Sequence, residues 1–289
     1  MVRPSMLLAL GALATAAVAC APADNTATTA APSAAASTAC TKDQLTLVSA
    51  GKLTIGTDKP AYEPWFKDDD PANGQGFESA VAYAVAGEMG FDRDEVQWST
   101  VKFDTAFAPG EKKFDFDVNQ VSITPQRAEA VDFSKGYYTV KQAVVTLKGS
   151  PAATATTLVG LRETRIGVQV GTTAFSAVQR VIRPSSLPKV YNEQIDAVNA
   201  LKNGQVDALV VDLPTAFYVT AVQVPNSQIL GQFSATGGEK PEEFGLVMGK
   251  GSALKPCVDK AVDALRSKGE LAKIEQQWLG EAAGAPELK

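Results

Sequence analysis

Three groups of residues carry chemistry that this chain could use. They are the cysteines Cys20, Cys40 and Cys257, the acidic run Asp68, Asp69 and Asp70, and Asp212, which directly follows the apolar run Ala208 to Val211. Histidine is absent from all 289 residues. That removes the Ser-His-Asp triad, the Cys-His pair, the HExxH zinc site and the imidazole proton shuttle, while carboxylate pairs and lysine bases stay open to catalysis. The acidic run fails as a calcium loop: counting from Asp68 puts Ala72 at the fifth position, which needs an oxygen ligand. It reads as a solvated turn, and no metal is expected. Gly74-Gln75-Gly76 lacks the third glycine of a dinucleotide fingerprint and no GK[ST] string occurs, so no cofactor is expected either. A carboxylate at Asp212 is costly beside a buried strand unless it is paired. A ligand cation or the helix starting near Pro214 could supply that pairing.

The cysteines depend on what precedes them. Arg3, the apolar stretch Leu7 to Ala19 and the ending Ala17-Val18-Ala19-Cys20 have the layout of a secretory signal, too short for the roughly 20 residues that span a bilayer. The predicted signal peptide is 1–19. Its ending resembles a bacterial lipobox, which makes Cys20 the lipid-modified first residue of the mature protein; cleavage at an ordinary A-x-A site is the alternative. Residues 20–41, mostly Ala, Thr, Ser and Pro, bury too little apolar area to offset their ordering entropy. They read as a disordered, lipid-anchored tether to the cell membrane. With Cys20 lipidated, Cys40 and Cys257 form an even pair in an oxidising compartment, most simply a disulfide, otherwise two free thiols.

The elements that must position these groups follow an α/β pattern. Leu53 to Thr57 and Val96 to Val101 read as strands flanking a helix from Phe77 to Met89, whose apolar residues recur three and four apart. The pattern repeats with strand Thr164 to Val170, helix Thr172 to Val181, short strand Lys189 to Tyr191, helix Glu193 to Lys202 and the apolar strand Val206 to Val211. Lys255 to Leu279 predicts two amphipathic helices broken near Lys268-Gly269. With 45% apolar and 20% charged residues, the chain can bury ordinary cores, and its length suits two lobes. A formal charge of −5, with 32 acids against 27 bases, argues against a nucleic-acid partner.

The most informative string is Val121-Ser122-Ile123-Thr124-Pro125-Gln126-Arg127, continued by Ala128-Glu129-Ala130-Val131-Asp132-Phe133-Ser134 and then Gly136-Tyr137-Tyr138. It resembles the "SITPERA.AVDFS.PYY" signature of the family 3 solute-binding proteins, the polar amino-acid-binding proteins of ABC transporters. "GKLTIGTD" at 51–58, "IGVQVGTT" at 166–173, "ALKNGQVDALVVDLPTA" at 200–216 and "FGLVMGKGSALK" at 244–255 agree, so the resemblance covers about residues 42 to 280. It implies a two-lobed periplasmic-binding-protein (Venus flytrap) fold with two hinge crossings, expected near Thr139 to Val144 and Glu243 to Val247. Lobe 1 would comprise 42–140 plus 246–289, and lobe 2 would comprise 141–245.

The resemblance also implies a ligand site. Arg127 matches the arginine that grips the ligand α-carboxylate, a task suited to a two-pronged guanidinium, and Asp212 matches the acid that meets the ammonium. Ser122 and Thr173 match hydroxyl and backbone contacts to the carboxylate, with Thr172 beside them at a helix start. Tyr62 and Phe103 match two aromatics that sandwich the side chain, though Phe103 could equally be core. Asp58 matches an acid that meets the distal end of polar or cationic side chains. Asn119 and Gln120 depart from the family, which often has small residues there; these amides would narrow the site or add hydrogen bonds.

The implied protein is not an enzyme. It is a monomeric extracytoplasmic receptor, held to the membrane by lipid, that captures an amino acid and delivers it to an ABC permease. An enzyme resembling the cyclohexadienyl dehydratases and a ligand-sensing domain are the alternatives. Asp58 tilts the ligand toward glutamine, arginine or lysine.

Overall fold

The computed structural model describes residues 40–237, 240–280 and 284–289. The predicted signal peptide, Cys20 and the tether up to residue 39 lie outside the described residues. Among the described residues, no helix is long and apolar enough to cross a membrane.

In chain order the first strands and helices are β1 (Leu53–Thr57), α1 (Phe77–Glu88), β2 (Val96–Thr100), α2 (Phe103–Ala106), β3 (Phe116–Asp117), α3 (Pro125–Ala130) and β4 (Val131–Phe133). The middle of the chain supplies β5 (Tyr138–Val140), β6 (Gln142–Leu147), β7 (Ile166–Gln169), α4 (Thr173–Ala177), β8 (Lys189–Tyr191), α5 (Gln194–Lys202), β9 (Ala208–Asp212), α6 (Leu213–Tyr218) and β10 (Ser227–Phe233). The last are β11 (Glu242–Phe244), β12 (Val247–Gly249), α7 (Lys255–Ser267) and α8 (Glu270–Leu279).

These build two five-stranded sheets, ordered β2-β1-β3-β12-β4 and β10-β6-β9-β7-β8. Each has a parallel half, β2-β1-β3 in one and β9-β7-β8 in the other, completed by antiparallel strands. Between the sheets, β5 and β11 pair antiparallel, Tyr138 opposite Phe244 and Val140 opposite Glu242. The chain passes along this ribbon twice, from β4 to β6 and from β10 to β12. The fold is therefore two-lobed α/β with two crossings, each pairing slightly N-terminal to its expected place.

Local sequence explains the parts that carry the cleft. In α1, Phe77, Val81 and Val85 share a face and are fully buried in the first core. Gly76, which starts this helix, has φ 95°, and a Cβ there would come within 2.5 Å of the Trp65 carbonyl oxygen. Only glycine lets the 62–66 loop pack so closely against the helix. The uninterrupted apolar run of β9 is used on both faces: Ala208 and Val210 enter one core of the second lobe, while Leu209 and Val211 enter the other. Leu209, Val210 and Val211 each contribute about 1.5–3 kcal/mol by burial, and the smaller Ala208 less. Gly269, with φ 72°, breaks α7 from α8 where the sequence predicts it.

The sequence reading needs two corrections. Cys40 and Thr41, placed in the tether, belong to the folded body, because Cys40 is disulfide-bonded to Cys257 of α7. Residues 284–289, placed in lobe 1, lie on the second sheet. Glu287 bridges Gln232 at the edge of β10, the Leu288 N–H donates to the Gln232 carbonyl, and the Leu288 side chain is buried in a second-lobe core. Too short for a periodicity signal, this segment gives no sequence clue that it leaves α8's lobe.

Candidate functional site

The cleft is built where strand ends and helix starts of the two lobes face each other. One cavity is lined by Asp58, Tyr62, Phe103, Asn119, Gln120, Ser122 and Arg127 from the first lobe side and by Thr172, Thr173, Glu193 and Asp212 from the second, among others. It gathers every ligand-binding residue expected from the sequence, and adds Glu193.

Arg127 is the central cation. Thr124 caps α3 by accepting the Arg127 N–H at 3.2 Å, which places the side chain at the cleft with 9% exposure. Its guanidinium donates to the Ser122 carbonyl at 2.7 Å and to the Gly171 carbonyl at 2.9 Å, so it touches both lobes. It lies over the Phe107 ring at 4.2 Å and near the Phe103 ring at 5.6 Å. Burial lowers its pKa to about 10, against the opposing pull of Glu242 and Asp212, so it stays charged at neutral pH. Phe103 lines the cavity and also stacks edge-on against Phe107.

Opposite the arginine sits a carboxylate pair of which the sequence revealed only one member. Asp212 ends β9, but its side chain does not cap α6; its Oδ1 accepts from Gln142 Nε2 at 2.7 Å. The same amide nitrogen donates to Glu242 at 3.2 Å, and Glu242 also accepts from the Ser122 hydroxyl at 2.6 Å. Burial first, and Glu242's charge second, push Asp212 up to about 8. Glu242 comes from β11, 120 residues from Ser122. The buried glutamine opening β6 and the acidic start of β11 were its only sequence signals.

The hydroxyl of Thr173 lies 3.4 Å from that of Ser122 across the cleft. Thr172 instead commits its hydroxyl to the start of α4, accepting from the Phe175 N–H and donating to the Gln169 carbonyl.

Asp58 is held at the end of β1, its oxygens accepting from the Lys59 N–H at 2.7 Å and the Phe103 N–H at 3.1 Å. Tyr62 is pushed up to about 12 by burial, then by the negative charges of Glu193 and Asp58, so its hydroxyl remains protonated. The acidic run beside this loop is structural: Asp69 accepts from the Ala61 N–H and Asp70 from the Ala72 N–H.

The two amides behave differently. Asn119 is 6% exposed and its Nδ2 has no hydrogen-bond partner among the described residues. Gln120 adopts a left-handed backbone, φ 48°, and is held there by Glu78, which accepts from the Gln120 N–H at 2.7 Å and from its Nε2. The Tyr137 hydroxyl donates to the same carboxylate. One donor of the Gln120 amide nitrogen is thereby engaged by Glu78, while Gln120 still lines the cavity, and Glu78 is a supporting residue that the sequence did not reveal.

The chain belongs to the bacterial extracellular solute-binding proteins, family 3, whose family model matches residues 53–281. It is similar to a probable histidine-binding protein of Campylobacter jejuni, 28% identical over 227 residues that cover 75% of this chain and 80% of that protein. Among solved structures it resembles an ancestral arginine-binding protein bound to arginine, with 30% identity, a TM-score of 0.65 and coverage of 79% and 98% of the two chains. The arginine-, lysine-, histidine-binding protein ArtJ of Geobacillus stearothermophilus gives 25% identity, a TM-score of 0.66 and coverage of 81% and 96%.

Proposed function

We propose that this protein captures a polar or cationic amino acid between its lobes, outside the cytoplasmic membrane, and delivers it to an ABC transporter permease. The carrying observation is the buried Arg127 guanidinium sharing one cavity with Asp212, with Glu242 of the crossing ribbon acting on its charge as well. A guanidinium has five N–H donors; the bonds to the Ser122 and Gly171 carbonyls orient it and leave donors for an α-carboxylate. Asp212, raised to about 8, holds its proton near neutral pH until an ammonium arrives, and then gives it up to become the counter-charge. Tyr62 and Phe103 cover the side chain.

Binding draws the lobes together by hinge motion along the β5–β11 ribbon, and the permease reads the closed form. In this reading lobe 1 comprises 40–140 plus 246–280, and lobe 2 comprises 141–245 plus the 284–289 segment. The protein works as a monomer tethered by lipid at Cys20 and binds without turning its ligand over.

Calorimetry over the amino acids tests this. A ligand at 100 times its Kd stabilises the fold by about 2.7 kcal/mol, and Arg127→Ala weakens binding by about 2–5 kcal/mol with the fold intact. Binding by the variant within about threefold of wild type would sink the site assignment, and product formed from prephenate or arogenate would favour the dehydratase alternative.

A further inference from the structure

Glu193 has no assigned role, and its placement is unusual. It stands at the residue preceding α5, where Ser, Thr, Asp or Asn is favoured because a short side chain caps the helix. Glu193 has the extended backbone of a cap, yet its side chain makes no capping bond. The carboxylate lines the cleft cavity with Asp58 and Tyr62. Its ion-pair partner is Lys102 of the other lobe, 3.9 Å away, with the side chains 42% and 72% exposed. A pair so long and so exposed contributes little, and a ligand cation could replace it.

The charges lining the cavity then decide the ligand class. Asp58, Glu193 and Asp212 stand against Arg127 alone. An amino-acid head group brings one carboxylate for Arg127 and one ammonium for Asp212, and is itself neutral. That leaves Asp58 and Glu193 without a charge partner from the head group, one in each lobe. Each carboxylate oxygen of Asp58 accepts one backbone N–H and retains capacity for a second donor. The buried, unpartnered amide of Asn119 in the same cavity also calls for a polar ligand, since an unmatched buried amide is costly.

We propose that Asp58 and Glu193 together receive the distal positive charge of the ligand side chain, that Glu193 is a specificity-determining residue, and that the ligand is an amino acid with a cationic side chain. This rests on Arg127 and Asp212 holding the head group. A cation between the two carboxylates is tied to both lobes, so the group that sets specificity also favours closure. A neutral amide in its place brings no charge to Asp58 and leaves Glu193 with only its long, exposed pair to Lys102.

The test is calorimetry at low salt with L-arginine, L-lysine and L-glutamine on wild type, Glu193→Gln and Lys102→Ala. Wild type should prefer a cationic ligand; Glu193→Gln should weaken it by about tenfold and move glutamine by less than about threefold. Lys102→Ala, which removes the competing cation, should tighten the cationic ligand. A wild type that prefers glutamine, or equal changes for charged and neutral ligands in Glu193→Gln, would overturn the proposal while leaving Arg127-dependent binding in place. No amino-acid binding by wild type, or binding indifferent to Arg127→Ala, would overturn the head-group reading and this proposal with it.

Discussion

At the scale of single residues, Glu78 shows how a buried acid can be both necessary and costly. Three donors converge on it, the Gln120 N–H and Nε2 and the Tyr137 hydroxyl, and all favour the ionised form. Full burial opposes them and wins, raising its pKa from 4.5 to about 7. Because the folded value lies above the unfolded one, its contribution to stability is fully present below pH 4.5 and is lost as pH rises through 7. The difference of about 2.5 units corresponds to roughly 3 kcal/mol. Glu78→Gln should therefore gain on wild type by that amount between pH 4 and pH 8, measured by denaturant unfolding. A stability difference that stays flat with pH would rule out this titration. Arg127 could be read from the sequence because the helix start that presents it, capping threonine, proline and arginine, lies within four residues. Glu78 and Glu242 could not, since their partners stand 42 and 120 residues away, and nothing local separates an acid aimed at a cleft from one aimed at water.

The elements legible in the sequence are ones where burial imposes a pattern, though the sequence reading does not single out the buried run of β6 as a strand. The run Ala208 to Val211 needed two apolar faces and received two cores, and the break between α7 and α8 fell at a glycine in a left-handed conformation. Position 120 shows the limit. A glutamine gives no sign of positive φ, and the turn exists because Glu78 holds both its backbone and its side chain. The Cys40–Cys257 bond was legible by counting cysteines, and it fastens the N-terminal entry of the fold to α7 across 217 residues of chain. Closing so long a loop contributes roughly 5 kcal/mol in the chain-entropy account. Cys257→Ser, or reduction of the wild type, should lower the melting temperature with the cleft unchanged. Unaltered melting under reducing conditions would show that the packing of α7 on α1 suffices.

For the whole molecule, what matters is how the lobes hold each other. Away from the cavity lining, the Trp65 indole N–H donates to the Thr215 hydroxyl at 2.9 Å, joining the first-lobe loop to α6 of the second in a fully buried bond. Trp65 packs edge-on against Phe77, Tyr138 and Phe244, so the bond sits beside the crossing ribbon. If the lobes part without ligand, this bond exists only in the closed form. Thr215→Val, which strands the indole N–H, then shifts the balance toward open by about 1–3 kcal/mol. Every ligand should weaken by the same factor, in contrast to the charge-selective loss expected at Glu193. Ligand-dependent losses would place Thr215 in recognition instead of closure.

The segment 284–289 gives this architecture a practical use. Cys40 is bonded to α7 on the first lobe, while Leu288 is buried in the second, so residue 41 and residue 289 ride on different lobes. A donor dye at Thr41 and an acceptor dye at Lys289 would report lobe separation through energy transfer. Such a molecule would be a self-contained optical sensor of its ligand, read from positions outside the cleft.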